Sequence, residues 1–231
     1  MSFFLWAALP YIVLTLLIGG IVWRWRYDRF GWTTRSSQAY ESALLRIASP
    51  LFHFGLLAVI AGHFVGLVVP ESWTTALGLS PEGYHVGSLV LGVPAAAATL
   101  AGVALLVWRR RTKGPVFNAT TKNDKTMYVV LALALLTGTL VTLMNIDVDH
   151  DYRGSVSVWF RSVFVLDPDV AAMESAPVQF HVHAVVGMLL IACMPFTRLV
   201  HAFAAPVGYL WRPYVVYRAR DGRRTRQLSR R

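Results

Sequence analysis

The apolar positions of this chain fall into five long, nearly uncharged blocks, near residues 3–23, 50–69, 86–108, 127–146 and 179–204. Each approaches the roughly 20 residues that a helix needs to cross the hydrocarbon of a bilayer. A core helix of a soluble protein rarely carries so long an uncharged run. Five such runs predict an all-α integral membrane protein with five transmembrane helices. The chain reads as one membrane domain over 1–231, with residues 205–231 as a basic tail. The first block does not read as a cleavable signal. Residues 1–5 carry no positive n-region, the run is longer than an ordinary h-region, and arginines follow it at 24, 26 and 29.

Charge adds an orientation. The first connection (24–46) carries five arginines, the third (109–125) three arginines and three lysines, and the tail after residue 204 eight arginines. The second connection (70–85) has no Lys or Arg. The fourth (147–178) has Arg153 and Arg161 against Asp147, Asp149, Asp151, Asp167, Asp169 and Glu174. Basic connections stay cytoplasmic. The expected topology has the N-terminus outside, the C-terminus in the cytoplasm and the fourth connection as an external loop, in a multi-pass protein of a bacterial plasma (inner) membrane. The net charge of +10 then requires no nucleic acid. It is accounted for by topology and attraction to anionic lipid headgroups, and a basic inner face also suits an acidic partner subunit.

Composition agrees, with 55% hydrophobic and 15% charged residues against about 25% charged in soluble domains. The single cysteine, Cys193, can neither form an intrachain disulfide nor hold an iron–sulfur cluster, and reads as a small packing residue. No internal repeat, P-loop or CxxCH motif is present. Ala95–Ala98 and nearby glycines suit close helix packing in lipid. Trp6, Trp23, Trp25 and Trp108 fall where an interfacial aromatic belt belongs.

The candidate chemistry lies in the histidines. Five of the seven fall inside the apolar blocks, and four of these form a suggestive arrangement: His53 and His63 in the second, His183 and His201 in the fifth, where His181 also lies. An ionisable side chain within the bilayer is costly and is a functional candidate by default; neutral imidazole is also a common iron ligand. Taken singly, a membrane histidine is often a satisfied interhelical hydrogen-bonding group. Four of them, two per helix at matched depths, point to a pair of b-type haems. The second run climbs from inside to outside and the fifth descends. His53 therefore matches His201 near the cytoplasm, and His63 matches His183 near the exterior. Along their helices the two ligands of each run are spaced about 15 Å and about 27 Å, putting the pair centres roughly 20 Å apart. Eighteen residues are five turns, so His183 and His201 are expected on one face, with His181 turned about 160° away as a poor ligand. His53 and His63 differ by about 80° around their helix, which a tilt or crossing must absorb. Gly55, Gly62, Gly66 and Gly187 have two readings: room for a flat macrocycle, or plain helix packing. An iron with two axial histidines has no open position and suits electron transfer.

These residues carry a family resemblance. The segments LFHFGLLAVIAGHF (51–64), HVHAVVGMLLIACMPFTRLVHAFAAPVGYL (181–210) and SSQAYE (36–41) resemble the gamma subunit of respiratory nitrate reductase, a membrane dihaem cytochrome b. The resemblance covers nearly the whole chain. It implies that quinol is oxidised near the outer haem, held by His63 and His183. Electrons would cross to the inner haem, held by His53 and His201. From there they would pass to an iron–sulfur beta subunit and a molybdenum-containing alpha subunit that reduces nitrate. The family has a lysine near the quinol pocket at the start of the third segment, where this chain has Tyr84 and His85. His85 reads either as a group that takes a quinol proton or as an interfacial histidine without a special role. Gly62 and Gly66 are expected to admit the quinol ring. Two further readings stand beside this one. A dihaem anchor of another quinone-linked oxidoreductase, of sulfur-compound reductase or hydrogenase type, would use the same haems. A transporter with intramembrane proton relays would require mid-membrane charges and an inverted repeat, and the sequence has neither.

Overall fold

The computed structural model describes residues 1–28, 31–32, 36–147 and 150–204. Among these the chain is helical, without a strand. Five helical stretches are long and apolar enough to cross a membrane: Phe4–Tyr27, Leu45–Val68, Pro81–Thr112, Lys122–Met144 and Val178–Phe196. Their main bodies are α1 (Leu9–Tyr27), α2 (Leu45–His63), α4 (Pro81–Thr112), α6 (Lys122–Met144) and α9 (Val178–Cys193). Four short helices lie in the connections: α3 (Glu71–Ala76), α5 (Gly114–Asn118), α7 (Val156–Phe164) and α8 (Val170–Glu174).

Local sequence sets the helix starts. Ser80 caps α4 by accepting from the Gly83 amide at 3.0 Å, and Pro81 opens the helix. Thr121 and Asp124 form a reciprocal capping box at α6. The third span is therefore longer than the apolar run 86–108: its cap lies in the polar linker before it, and its arginine-rich end is held to Thr112. Arg109 is buried there, donating to the carboxylate and carbonyl of Glu41 and to the hydroxyl and carbonyl of Ser37. Both residues belong to the segment 36–41.

Neighbouring spans pack in the order α2, α4, α6, α9 and α1. The α2–α4 seam depends on small residues. A Cβ at Gly102 would meet the Phe52 backbone nitrogen at 2.5 Å, and one at Gly55 would meet the Thr99 nitrogen at 2.8 Å. Gly55 is thus a packing glycine. Phe52, Val103, Met127 and Leu131 form one buried cluster, and Trp6, Val13, Trp159, Met173, Phe180 and Met188 belong to another. Phe54, Leu91 and Val90 are exposed, as lipid-facing positions are. Trp6 is not a belt residue: it is buried, edge-on to Trp159 with ring centroids 5.7 Å apart, and its carbonyl accepts from Trp159 Nε1 at 2.7 Å.

The fifth span departs most from expectation. The run 179–204 is expected as one helix, but α9 ends at Cys193. Pro195 has no N–H to give and its ring crowds the preceding turn. A 3₁₀ turn covers Met194–Phe196, Thr197 is extended (φ −118°, ψ −177°), and a second 3₁₀ turn, Arg198–Ala202, carries His201. The five-turn angular relation between His183 and His201 therefore does not apply. The expected basic tail, 205–231, lies outside the described residues, as do Arg29, Arg35 and Asp149.

Candidate functional site: two facing histidine pairs

His53 and His201 meet with ring centroids 6.0 Å apart, and His63 and His183 meet at 6.0 Å as well. His63 and His183 bridge the second and fifth spans, whereas His53 of the second span meets His201 on the turn beyond the fifth, in the combination expected from depth. The two pairs lie at opposite ends of the bundle.

All four imidazoles are held by Nδ1. In His53, His63 and His201 this nitrogen lies 2.7, 2.8 and 2.6 Å from the carbonyls of Ser49, Val59 and Arg198. A carbonyl only accepts, so Nδ1 carries the proton and donates it. His183 Nδ1 lies 3.0 Å from the Thr137 hydroxyl, which itself donates to the Leu133 carbonyl at 2.8 Å. The Thr137 oxygen therefore accepts from His183. In each case the tautomer leaves Nε2 as a bare lone pair, with no hydrogen-bond partner among the described residues. The other three histidines are arranged the opposite way, with Nε2 engaged. His85 Nε2 is bound to the Ile146 carbonyl, His150 Nε2 to the Ser155 hydroxyl and His181 Nε2 to the Met173 carbonyl. His181 also packs on the Trp6 ring at 5.1 Å.

Two residues that the sequence did not single out seat His183. One is Thr137. The other is Gly138, where a Cβ would lie 2.8 Å from His183 Cε1. Nothing in the apolar pattern of α6 distinguishes them, because each matters through a contact 45 or more residues away.

The His53 end holds a cavity of about 490 Å³ lined in part by His53, His201, Phe52, Arg46, Arg110 and Arg198. Arg198 is paired with Asp124 at 2.7 Å. The His63 end is closed by the fourth connection. Three carbonyls beyond the end of α2 accept from it: Gly66 from the Ser157 hydroxyl, Leu67 from Arg161 and Val69 from Arg153. The two arginines of this otherwise acidic connection thus cap a helix end. Arg153 also lies over the Tyr84 ring at 4.1 Å, and the Tyr84 and Tyr152 hydroxyls are 2.8 Å apart. Burial and the bond from Tyr84 push the Tyr152 phenol up, so it stays protonated.

The glycines divide. Gly62 and Gly187 face open space, whereas a Cβ at Gly66 would meet the Tyr152 hydroxyl at 2.7 Å and the Tyr84 hydroxyl at 3.1 Å. His85 is half-buried at the same end of the bundle, tied to the end of the fourth span through Ile146.

Residues 2–220 match the family model described as nitrate reductase gamma subunit. The chain is 42% identical over 218 residues to the nitrate reductase gamma chain of Bacillus subtilis, covering 94% of this chain and 98% of that one. It is 30% identical over 226 residues to the respiratory nitrate reductase 2 gamma chain of Escherichia coli K12, covering 95% and 98%. It is 57% identical over 219 residues to the nitrate reductase-like protein NarX of Mycobacterium tuberculosis. That alignment covers 94% of this chain but only 34% of the longer relative. With five spans long and apolar enough to cross a bilayer, the chain is a multi-pass protein of the bacterial inner membrane and belongs to the nitrate reductase gamma subunit family.

Proposed function

We propose that this chain is the dihaem cytochrome b subunit of a respiratory nitrate reductase, taking electrons from membrane quinol and passing them across the bilayer. The observation that carries this reading is the matched state of the two histidine pairs, with each Nδ1 tied and each Nε2 turned free. Ligating histidines ordinarily donate their other ring nitrogen to a carbonyl or hydroxyl, which fixes the tautomer. A metal–imidazole bond is about 2 Å, so two axial rings on one metal bring their centroids within about 6–6.5 Å. The observed 6.0 Å in both pairs fits that spacing. His53 and His201 would hold the inner haem, and His63 and His183 the outer one. Haem b held by these histidines would supply one-electron transfer chemistry rather than oxygen or substrate binding.

The remaining residues have roles consistent with this. Gly62 and Gly187 keep the faces beside the ligands clear. Arg46 and Arg110 place cations in the inner cavity, where they suit the acidic side chains of a haem. The His63 end is assigned to the outside and the N-terminus likewise, from the distribution of Lys and Arg. Quinol oxidation near the outer pair releases two protons and two electrons. His85 donates through Nε2 to Ile146, which leaves Nδ1 as a proton acceptor at that end. Gly62 offers an open approach beside His63, whereas the Gly66 side is filled by Tyr152 and Tyr84. On the opposite face, exposed Arg26, Arg46, Arg111, Lys113, Lys122 and Lys125 suit docking of an iron–sulfur subunit. That subunit would pass electrons on to a molybdenum-containing subunit.

The test is haem content by pyridine haemochrome together with the low-spin electron paramagnetic resonance signals. Two haems per chain are expected. His183→Ala should remove one signal, His201→Ala the other, and His181→Ala neither. One haem or none in the wild-type chain would overturn the assignment.

A further inference from the structure

The histidine that faces His53 lies beyond the fifth transmembrane span. His201 rides on the isolated turn Arg198–Ala202, beyond the break at Pro195–Thr197. A helix break releases carbonyls from their internal partners, and a buried polar group without a partner is costly. At this break the released carbonyls are taken by two other spans. Arg24 of α1 donates through Nη1 to the Pro195 carbonyl at 2.7 Å and to the Thr197 carbonyl at 3.5 Å. Asn123 of α6 donates to the Phe196 carbonyl at 3.0 Å. The Arg24 guanidinium is buried, with Nη2 donating to the Gly31 carbonyl at 3.0 Å and Nε 3.3 Å from the Asp28 carboxylate as an ion pair without a hydrogen bond.

Gly20 explains how α1 comes close enough. It lies one turn before Arg24 on the same helix face. A Cβ there would stand 2.7 Å from Pro195 Cβ and 3.1 Å from the Phe196 ring. Gly20 and Arg24 thus form a two-point seat for the break, one steric and one hydrogen-bonding. In an arginine-rich connection the bland expectation for Arg24 is a solvated topogenic charge. Its burial and carbonyl bonds are not explained by that role.

We propose that Arg24, seated by Gly20, is a positioning residue that sets the orientation of His201 and so how this histidine is presented to the inner haem. This rests on the reading of His201 as a haem ligand. The mechanism is geometric. Arg24 holds the carbonyls of residues 195 and 197, immediately before the turn whose Arg198 carbonyl anchors His201 Nδ1 at 2.6 Å. A planar guanidinium reaches the carbonyls of Pro195, Thr197 and Gly31 together. An ammonium on a flexible stem cannot span all three acceptors.

The experiment compares Arg24→Ala, Arg24→Lys and Gly20→Ala chains, assembled in membranes with their partner subunits, against His201→Ala and wild type. The readouts are the low-spin resonance position of each haem and haem content. Arg24→Ala and Gly20→Ala should shift or lose the signal that His201→Ala abolishes, and leave the other signal at wild-type position and intensity. Arg24→Lys should shift the same signal by less. If Gly20→Ala and Arg24→Ala both give wild-type signals, Arg24 does not position His201. Parallel loss of both haems in every variant would equally overturn the proposal, since Arg24 would then support the whole bundle. Should His201→Ala retain both haems, the ligand assignment itself fails, and that result is visible without reference to Arg24.

Discussion

The Thr137 hydroxyl accepts from His183 Nδ1 at 3.0 Å, in the place taken by a backbone carbonyl at His53, His63 and His201. A side-chain partner can be removed by substitution, whereas a carbonyl cannot. Thr137→Val keeps the volume and deletes the acceptor. Loss of such a partner typically costs 10–100-fold in metal affinity. Outer haem occupancy should fall on dilution or detergent extraction while the inner signal is unchanged. Thr137→Ser should restore it. Equal retention of both haems in Thr137→Val would show that His183 keeps its orientation by packing alone.

Gly138 makes the complementary steric prediction. An alanine methyl would stand 2.8 Å from His183 Cε1 and 3.2 Å from its Nε2, the atom assigned to the iron. The ring must then swing away or α6 must retreat, at a cost of about 1–3 kcal/mol. Gly138→Ala should lose the outer haem selectively. Comparison with Gly187→Ala controls for helix propensity, because a Cβ at Gly187 meets nothing within 4 Å.

Glu41 gives a pH dependence with a definite sign. The Leu44 amide and then the Arg109 guanidinium hold its carboxyl below the usual carboxylate range. A depressed folded-state pKa stabilises the fold above the unfolded value, near 4.3, and that stabilisation disappears as pH falls through the folded value. Acidification below about pH 4 should therefore release segment 36–41 from Arg109. Limited proteolysis at the connection should rise there. Glu41→Gln should show raised cleavage already at neutral pH and less further change on acidification.

His85→Ala tests the proton acceptor. Quinol-dependent turnover should drop while both haem signals and reduction by an artificial electron donor persist. Unchanged quinol turnover would leave His85 as a structural tie to Ile146. The Tyr84–Tyr152 pair, next to Gly66, would then be the first group to examine.

The sequence by itself determined the class, the five spans and the pairing of the four histidines. These follow from quantities that add along the chain: apolar length, the side on which Lys and Arg accumulate, and depth counted at a fixed rise per residue. It also marked His181 as facing away, and in the structure that ring packs on Trp6. Only the tertiary structure decided how each histidine is oriented. The break at Pro195, the seat made by Gly20 and Arg24, the clash-limited contact of Gly138 and the hydroxyl of Thr137 all join positions far apart in the chain. Gly55 and Gly62 illustrate the division, because both sit in one apolar helix yet one is pressed against Thr99 and the other faces open space. Hydropathy is nearly uniform around such a helix, since lipid and neighbouring helices are alike in polarity. The pattern therefore records that a residue lies in the membrane, while which neighbour it faces is set by how the helices pack.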